Sequence, residues 1–267
     1  MFENHWKNLH KSVCSVNLYG FSGGKVMGVT GFHFRNRIIT DNWIHQLDDI
    51  AEIKIRFYDE DGYTISNEYV YDTETFKTFL PEKEKYSKYG LSYINCNHDT
   101  LKNIPEIEIC TENHQTVGKE SFFIAYQYKH NNLAIKSTIV SSYQVNDNGL
   151  TYIHYDGTVK PGSNGAPLFS KSTGKLIGII ANKELGIVNT FQDLVRNADA
   201  NLERLESIRD RLVVDDIDIV QVMMACQSQL KFMVREFYGN FAAKLGYALD
   251  VEHLKEMFET DDELDFE

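Results

Sequence analysis

A serine, a histidine and carboxylates are the residue types that together carry out acyl transfer, and this chain of 267 residues contains them in suggestive places. A serine hydroxyl is a poor nucleophile until a neighbouring imidazole takes its proton, and a carboxylate orients that imidazole and stabilises its cation. Ser163 lies in the glycine-rich segment 162–167, Gly-Ser-Asn-Gly-Ala-Pro. His45 and Asp48 lie close together far upstream. These three residues are the first candidates for covalent catalysis.

Segment 162–167 resembles the nucleophile loop of trypsin-like serine peptidases. That loop reads Gly-x-Ser-Gly-(Gly/Ala/Ser)-Pro and is followed by a hairpin that ends in Gly-Ile. In this chain Gly162, Gly165, Ala166 and Pro167 match the pattern without a gap. The position of the nucleophilic serine holds Asn164.

Two further segments resemble the same family. Residues 28–40 match its Gly-(Ser/Thr)-Gly-Phe hairpin and the apolar-Thr strand end, after which the catalytic histidine follows at the third residue; that residue is Trp43. Residues 89–94 match the strand that begins with the catalytic aspartate, and Gly90 stands in its place. The resemblance covers about 12–188 and implies a chymotrypsin-like double β-barrel.

The same alignment implies that the usual chemistry is lost. Asn164 has no ionisable nucleophile, the Trp43 indole is no base at neutral pH, and Gly90 offers no carboxylate. Loss of the serine or the histidine alone costs about 10⁶ in turnover in a well-studied serine peptidase. The backbone N–H groups of Gly162 and Asn164 can nonetheless form an oxyanion-hole-like site that binds a carbonyl or carboxylate without cleaving it.

The alternative is an active serine endopeptidase with a shifted triad. It would use Ser163, one residue early, and His45, two residues late, with Asp48 as the carboxylate; Asp49 and Asp99 are other choices for that role. A misplacement of about 1 Å can already cost 10²-fold in rate. The shifted triad is therefore the second hypothesis.

The elements that would position these residues are short strands. Apolar residues alternate with period two and are separated by turn signals such as 20–24 and 59–62, which is typical of an all-β barrel or sandwich. The predicted strands are 13–19, 26–34, 37–40, 53–58, 64–71, 91–95, 107–110, 121–128, 133–145, 150–155 and 168–180.

The pattern becomes helical after Thr190, which we expect to cap the first helix. Apolar residues recur at spacings of three and four from Leu194 to Leu212. A second helix opens at Asp215 and Asp216, and Gly239 is expected to break or kink it. A third is capped by Asp250 and runs through 258. We therefore predict a β domain at 1–190, a helical extension at 191–259 and a disordered acidic tail at 260–267.

Composition excludes several classes of partner. The net charge of −12 argues against phosphate-backbone binding and membrane-surface binding, because both need clustered Lys and Arg. The chain lacks a signal-like N-terminus and an apolar run near eighteen residues, and its four cysteines form no CxxC pair. The expectations are a cytoplasmic location, reduced thiols, and no cofactor or metal.

The leading functional hypothesis is a catalytically inactive trypsin-like protein that acts as a binding or regulatory scaffold. We expect a protein or peptide partner, held through the cleft or through helices 191–259, and an oligomer is compatible with the apolar residues of those helices. A β domain that only supports a helical interaction module is a third hypothesis. The architecture also resembles parts of bacterial defence or signalling assemblies, which is an association of fold alone.

Overall fold

The chain forms two compact units. The computed structural model describes residues 2–21, 23–96, 98–111, 116–181, 186–209, 213–214, 217–240 and 243–262. One unit comprises 1–182 together with 243–267, and the other comprises 183–242. The first unit contains the two large sheets, and the second is mainly helical. The predicted architecture, mainly β with barrel sheets and C-terminal helices, is confirmed.

The first half of the β unit is a six-stranded antiparallel sheet with the order β5-β4-β1-β2-β3-β6. Alternation places Ile53, Ile55 and Phe57 of β4 in the core, which explains the clean period-two pattern of that strand. Its strands are Val13–Gly20 (β1), Lys25–Phe34 (β2), Arg37–Asp41 (β3), Ile50–Tyr58 (β4), Ile65–Asp72 (β5) and Leu91–Ile94 (β6).

The second half is a closed barrel with the order β10-β11-β14-β9-β8-β7. Its inner residues form a continuous apolar cluster that includes Phe123, Tyr155 and Leu168. Five of its strands lie where the sequence predicts them: Glu120–Gln127 (β7), Asn132–Val145 (β8), Thr151–Val159 (β9), Pro167–Ser170 (β10) and Leu176–Ile180 (β11). Residues 107–110, predicted as a strand, contribute a single bridge between Ile109 and Leu176.

The sixth barrel strand was not predicted. Residues Ala243–Asp250 form β14, which pairs with β9 and β11 and closes the barrel. Gly246 lies opposite Tyr155, and a Cβ at position 246 would overlap the tyrosine ring. The expected helical extension at 191–259 is therefore divided, and only 183–242 form a separate unit.

The second unit is built on two long helices, Gly186–Glu206 (α5) and Ile219–Asn240 (α6), which pack on each other. Thr190 lies inside α5 and does not cap it, and Gly239 lies inside α6 and does not end it. The cap of α6 is Asp218, whose Oδ1 accepts from Val220 N at 2.9 Å. Asp215 and Asp216, predicted to open this helix, lie outside the described residues. Two-residue strands Val213–Val214 (β12) and Ile217–Asp218 (β13) precede α6.

Short helices complete the β unit. Its N-terminal helix Phe2–Leu9 (α1) was not predicted, and its last helix is Val251–Asp262 (α7). Asp250 caps α7 by accepting from Glu252 N at 3.0 Å, at the position that the sequence indicates. Residues 260–262 of the expected acidic tail belong to α7, and 263–267 lie outside the described residues. The others are Thr73–Lys77 (α2), Lys83–Tyr86 (α3) and His98–Leu101 (α4).

None of the four cysteines forms a disulfide, and Cys226 is the exposed one among them. Across the described residues, none of the helices combines the length and the apolar character that a membrane crossing requires.

Candidate active site

Three segments meet at the end of β3. The loop between β9 and β10 carries Ser163 and Asn164, the one-turn helix after β3 carries Trp43 and His45, and Gly90 directly precedes β6. Strand β6 pairs with β3 so that Ser92 lies opposite Thr40. The predicted site residues therefore come from three chain segments that the fold places side by side.

Thr30 of β2 holds the 162–165 loop against the first sheet. Its N–H donates to the carbonyl of Asn164 at 2.9 Å, and its Oγ1 donates to the carbonyl of Gly162 at 2.6 Å. The same Oγ1 accepts from Tyr126 N on β7 at 2.9 Å. One buried hydroxyl thus ties the loop to strands of both halves of the β unit.

Gly165 explains how closely this loop approaches β3. Its φ is +78°, a left-handed conformation that favours glycine, and a Cβ there would lie 2.8 Å from Asp41 N. The loop therefore rests on the backbone of Thr40 and Asp41, next to the helix that carries Trp43. Any side chain at position 165 would push the loop away from that helix.

Two of the three positions aligned with a catalytic triad, Trp43 and Gly90, have backbone contacts at or next to Asp41. Trp43 is half-buried, and its N–H donates to Oδ1 of Asp41 at 2.9 Å. The carbonyl of Gly90 accepts from Asn42 N at 3.2 Å, and Gly90 itself is left-handed with a φ of +69°. Asn164 is half-buried in the loop above.

Ser163 points away from solvent. Its side chain is 1% exposed, and its Oγ has no hydrogen-bond partner within the described part of the chain. Its N–H donates to the carbonyl of Lys160 at 3.0 Å, and its carbonyl accepts from Ala166 N at 3.1 Å. This is the geometry of a tight turn whose serine side chain faces the protein interior.

The side chain of His45 is hydrogen-bonded to a strand residue and not to the 162–165 loop. Its Nε2 lies 2.9 Å from Oγ of Ser92, which is buried on β6. Burial lowers the pKa of His45, and the nearby positive charge of Lys83 lowers it further. Asp48 is exposed in the following turn, and the hydrogen bonds described for His45 include none to Asp48 or Ser163. The structure therefore does not bring the shifted triad together.

Asp41 is a buried ionisable residue beside the loop, and the sequence patterns did not indicate it. It is 3% exposed, and burial raises the pKa of its carboxyl to about 7, while the bond from Trp43 N opposes that shift. Asp41 lies between Thr40 and the one-turn helix, a position that belongs to none of the catalytic sequence motifs considered above. A cap signal was nonetheless present, because Asp before a helical turn accepts from the first free N–H groups.

The backbone N–H groups of Gly162 and Asn164 lie in the same loop. Ser163, Gly165 and Ala166 all donate to backbone carbonyls, whereas among the described residues Gly162 and Asn164 do not. Two N–H groups that alternate with bonded ones are the arrangement that an anionic oxygen can occupy. Gly162 has a φ of +96°, and its carbonyl is fixed by Thr30.

Comparison with solved structures gives the fold a context. The HtrA-type protease AlgW with a tripeptide is 18% identical, with a TM-score of 0.50, and the match covers 67% of this chain and 54% of AlgW. Deg5 is 17% identical, with a TM-score of 0.51, and the match covers 67% of this chain and 83% of Deg5. A substituted AlgW with a decapeptide is 14% identical, with a TM-score of 0.56, over 98% of this chain and 67% of that one.

These structural matches establish a shared fold. The chain spans about half of AlgW with its tripeptide. No curated protein matches the sequence. The model of the trypsin-like peptidase domain matches residues 29–179, which is more than half of the chain and includes Trp43, Gly90 and the 162–167 loop. The chain therefore belongs to the trypsin-like peptidase domain family.

Proposed function

We propose that this chain is a catalytically silent member of its family that binds a protein or peptide segment. The observation that carries the proposal is the placement of Ser163 and His45. The only hydroxyl in the 162–165 loop is buried, and His45 is bonded to Ser92. A nucleophile that neither substrate nor base can reach supplies no acyl transfer.

Peptide binding is supported by what the loop retains. Gly162 and Asn164 present N–H groups without backbone partners among the described residues, and such groups bind a carbonyl or carboxylate oxygen. Two of the similar structures contain peptides, by their descriptions a tripeptide and a decapeptide. We place the bound segment over the loop, with one of its carbonyl oxygens on these two groups.

The competing function is hydrolysis by the shifted triad of Ser163, His45 and Asp48. Membership in a peptidase family supports this second candidate function. It requires Ser163 to turn outward and His45 to leave Ser92, so both groups would have to give up their present surroundings. A cytoplasmic location and a role in a bacterial defence or signalling assembly stay predictions from the sequence.

Binding is tested by titrating the chain with a pool of fluorescent, unstructured peptides. We expect saturable binding without cleavage, and loss of binding in Asn164→Trp, because the bulky indole would cover the loop. Lys119→Trp is the matched control, because Lys119 is exposed at the far end of β7, about 23 Å from Tyr126 by strand rise.

Two results would contradict the proposal. Equal peptide affinity of Asn164→Trp and Lys119→Trp would place any binding site away from the loop. Cleavage of the peptides that disappears in Ser163→Ala would show an active enzyme.

A further inference from the structure

Helix α6 has an exposed apolar face that adjoins its buried side, unlike its neighbour α5. Val220 and Val234 of α6 are buried, on the side where the two helices pack. The exposed side of α5 carries polar residues such as Asn197 and Asn201. The exposed side of α6 instead carries large apolar residues, so that α6 has a second face with no partner among the described residues of its unit.

We call this second face the α6 seam and define it by Val222, Met223, Cys226, Leu230, Met233 and Phe237. All six are exposed, from 37% for Leu230 to 67% for Phe237. On a helical wheel of 100° per residue they are consecutive, with no charged side chain between them. The seam runs over about 22 Å of helix.

The spacing of the seam is that of a coiled-coil interface. From Met223 to Phe237 the apolar positions advance by three, four, three and four residues. This alternation is a heptad repeat, in which each side chain inserts between residues of a facing helix. Packing on α5 buries Val220 and Val234 and leaves this repeat uncovered.

The charge distribution favours another uncharged seam as the partner. Helix α6 contains three charged residues, Lys231, Arg235 and Glu236, and none belongs to the seam. Lys231 already forms an ion pair with Asp199 of α5. A strongly acidic or basic partner would therefore find no opposite charge within the seam, whereas a second copy would bring a matching apolar surface.

The side-chain volumes of the seam complement each other when it is turned end for end. The midpoint of α6 lies between residues 229 and 230, which is also the midpoint of the seam. In an antiparallel pair, Val222 faces Phe237 and Cys226 faces Met233, so a small residue opposes a large one at both of these levels. A two-fold axis through this midpoint makes both halves of the contact identical.

We propose that α6 is a self-association surface, on which two copies of this chain pair antiparallel through their seams. Two helices from each copy then form a four-helix arrangement with α5 on the outside. The exposed apolar area of the two seams is roughly 1,000 Å², at the lower end for specific interfaces, which fits a reversible dimer. This proposal is independent of the state of the peptidase-like site.

Analytical ultracentrifugation over about 1–100 μM tests the dimer on the full chain. We expect a concentration-dependent shift from one copy to two. Leu230→Glu should weaken the dimer about 100-fold or more, because pairing would bury two carboxylates. Ser228→Glu is the matched control, since Ser228 is exposed on the same helix outside the seam, and it should leave dimerisation unchanged. A single copy at every concentration would overturn the proposal, as would equal loss in both variants.

Alkylation of Cys226 gives an independent readout that requires no seam variant. Its reaction with iodoacetamide should slow as protein concentration rises, because pairing covers the thiol; a rate independent of concentration would overturn the proposal. The orientation is tested by oxidation. In the antiparallel pair the two Cys226 residues are seven positions apart along the seam, about 10 Å, too far for a disulfide. Covalent Cys226 dimers in the unaltered chain would overturn the antiparallel arrangement.

Discussion

His45 Nε2 lies 2.9 Å from the buried Oγ of Ser92, so this histidine is bonded to a strand residue and not to the loop serine. This contact separates the two residues that a shifted triad would need to join. It also makes His45 a structural residue whose protonation state affects folding.

Because burial and Lys83 lower the pKa of His45, the unfolded chain binds this proton more tightly than the folded one. The stabilising contribution of neutral His45 is therefore present above its ordinary pKa near 6.5 and is lost as pH falls below it. We expect an NMR titration of the His45 ring to give a midpoint below that of an unstructured peptide. A midpoint at or above the peptide value would show that the folded environment does not lower the pKa of His45.

Asp41 should produce the opposite pH dependence. Burial raises its folded pKa to about 7, above an unfolded value near 3.8, so the folded state holds the proton between these limits. Stability is greatest at the acidic end of that window and falls as pH rises through it. Asp41→Asn keeps an acceptor for Trp43 N but does not ionise.

Chemical denaturation at pH 5 and pH 8 checks this expectation. Between pH 5 and pH 8, the free energy of unfolding of the natural chain should fall by about 2–4 kcal/mol more than that of Asp41→Asn. Identical pH dependence of the two proteins would mean that Asp41 is solvated or already paired in its charged form.

Gly165 and Gly90 provide a matched pair of left-handed glycines. Alanine at 165 would collide with backbone atoms of Thr30 and Asp41, whereas alanine at 90 would have no neighbour within 4 Å. We expect Gly90→Ala to cost about 1–2 kcal/mol of stability from conformation alone. Gly165→Ala should cost about 3 kcal/mol or more, because the loop must also move. Equal losses on urea denaturation would disprove the close approach of the loop to β3.

Thr30 is expected to hold the loop through its hydroxyl. Thr30→Val keeps the shape of the side chain but leaves the carbonyl of Gly162 and the N–H of Tyr126 without their partner, at a cost of about 2–4 kcal/mol. Thr30→Ser retains the hydroxyl and serves as the control, with a smaller loss. Hydrogen exchange should quicken at Tyr126 N in the valine variant only. Unchanged exchange there would show that another group holds the loop.

Local sequence patterns predict much of the β unit. The alternation in β4 follows from which side chains face the core. The Gly-x-x-Gly-Ala-Pro frame follows from a loop that must lie against β3. The strand β14 was missed because the apolar residues before it, such as Met233 and Phe237, extend a helical pattern into it. A period-two signal was present in Leu245, Tyr247 and Leu249, but its partner strands are nearly 70 residues or more away in sequence.

The candidate site was also predictable only where local sequence patterns define it. Aligned positions identify Trp43, Gly90 and Asn164 from sequence, because each follows a recognisable strand or turn. The partners of His45 and Thr30 depend on long-range pairing of β3 with β6 and of the loop with β2, and no local pattern encodes that pairing. The direction of the Ser163 side chain likewise depends on the turn that surrounds it.

The most direct test of a silent active site is intact-mass spectrometry of the purified full chain after exposure to a fluorophosphonate probe. The same preparation should be assayed against the peptide pool at pH 7–8, where neutral histidine would be a competent base. We expect an unmodified mass and no peptide cleavage above buffer. A single adduct mapped to Ser163, with cleavage abolished by Ser163→Ala or His45→Ala, would contradict it.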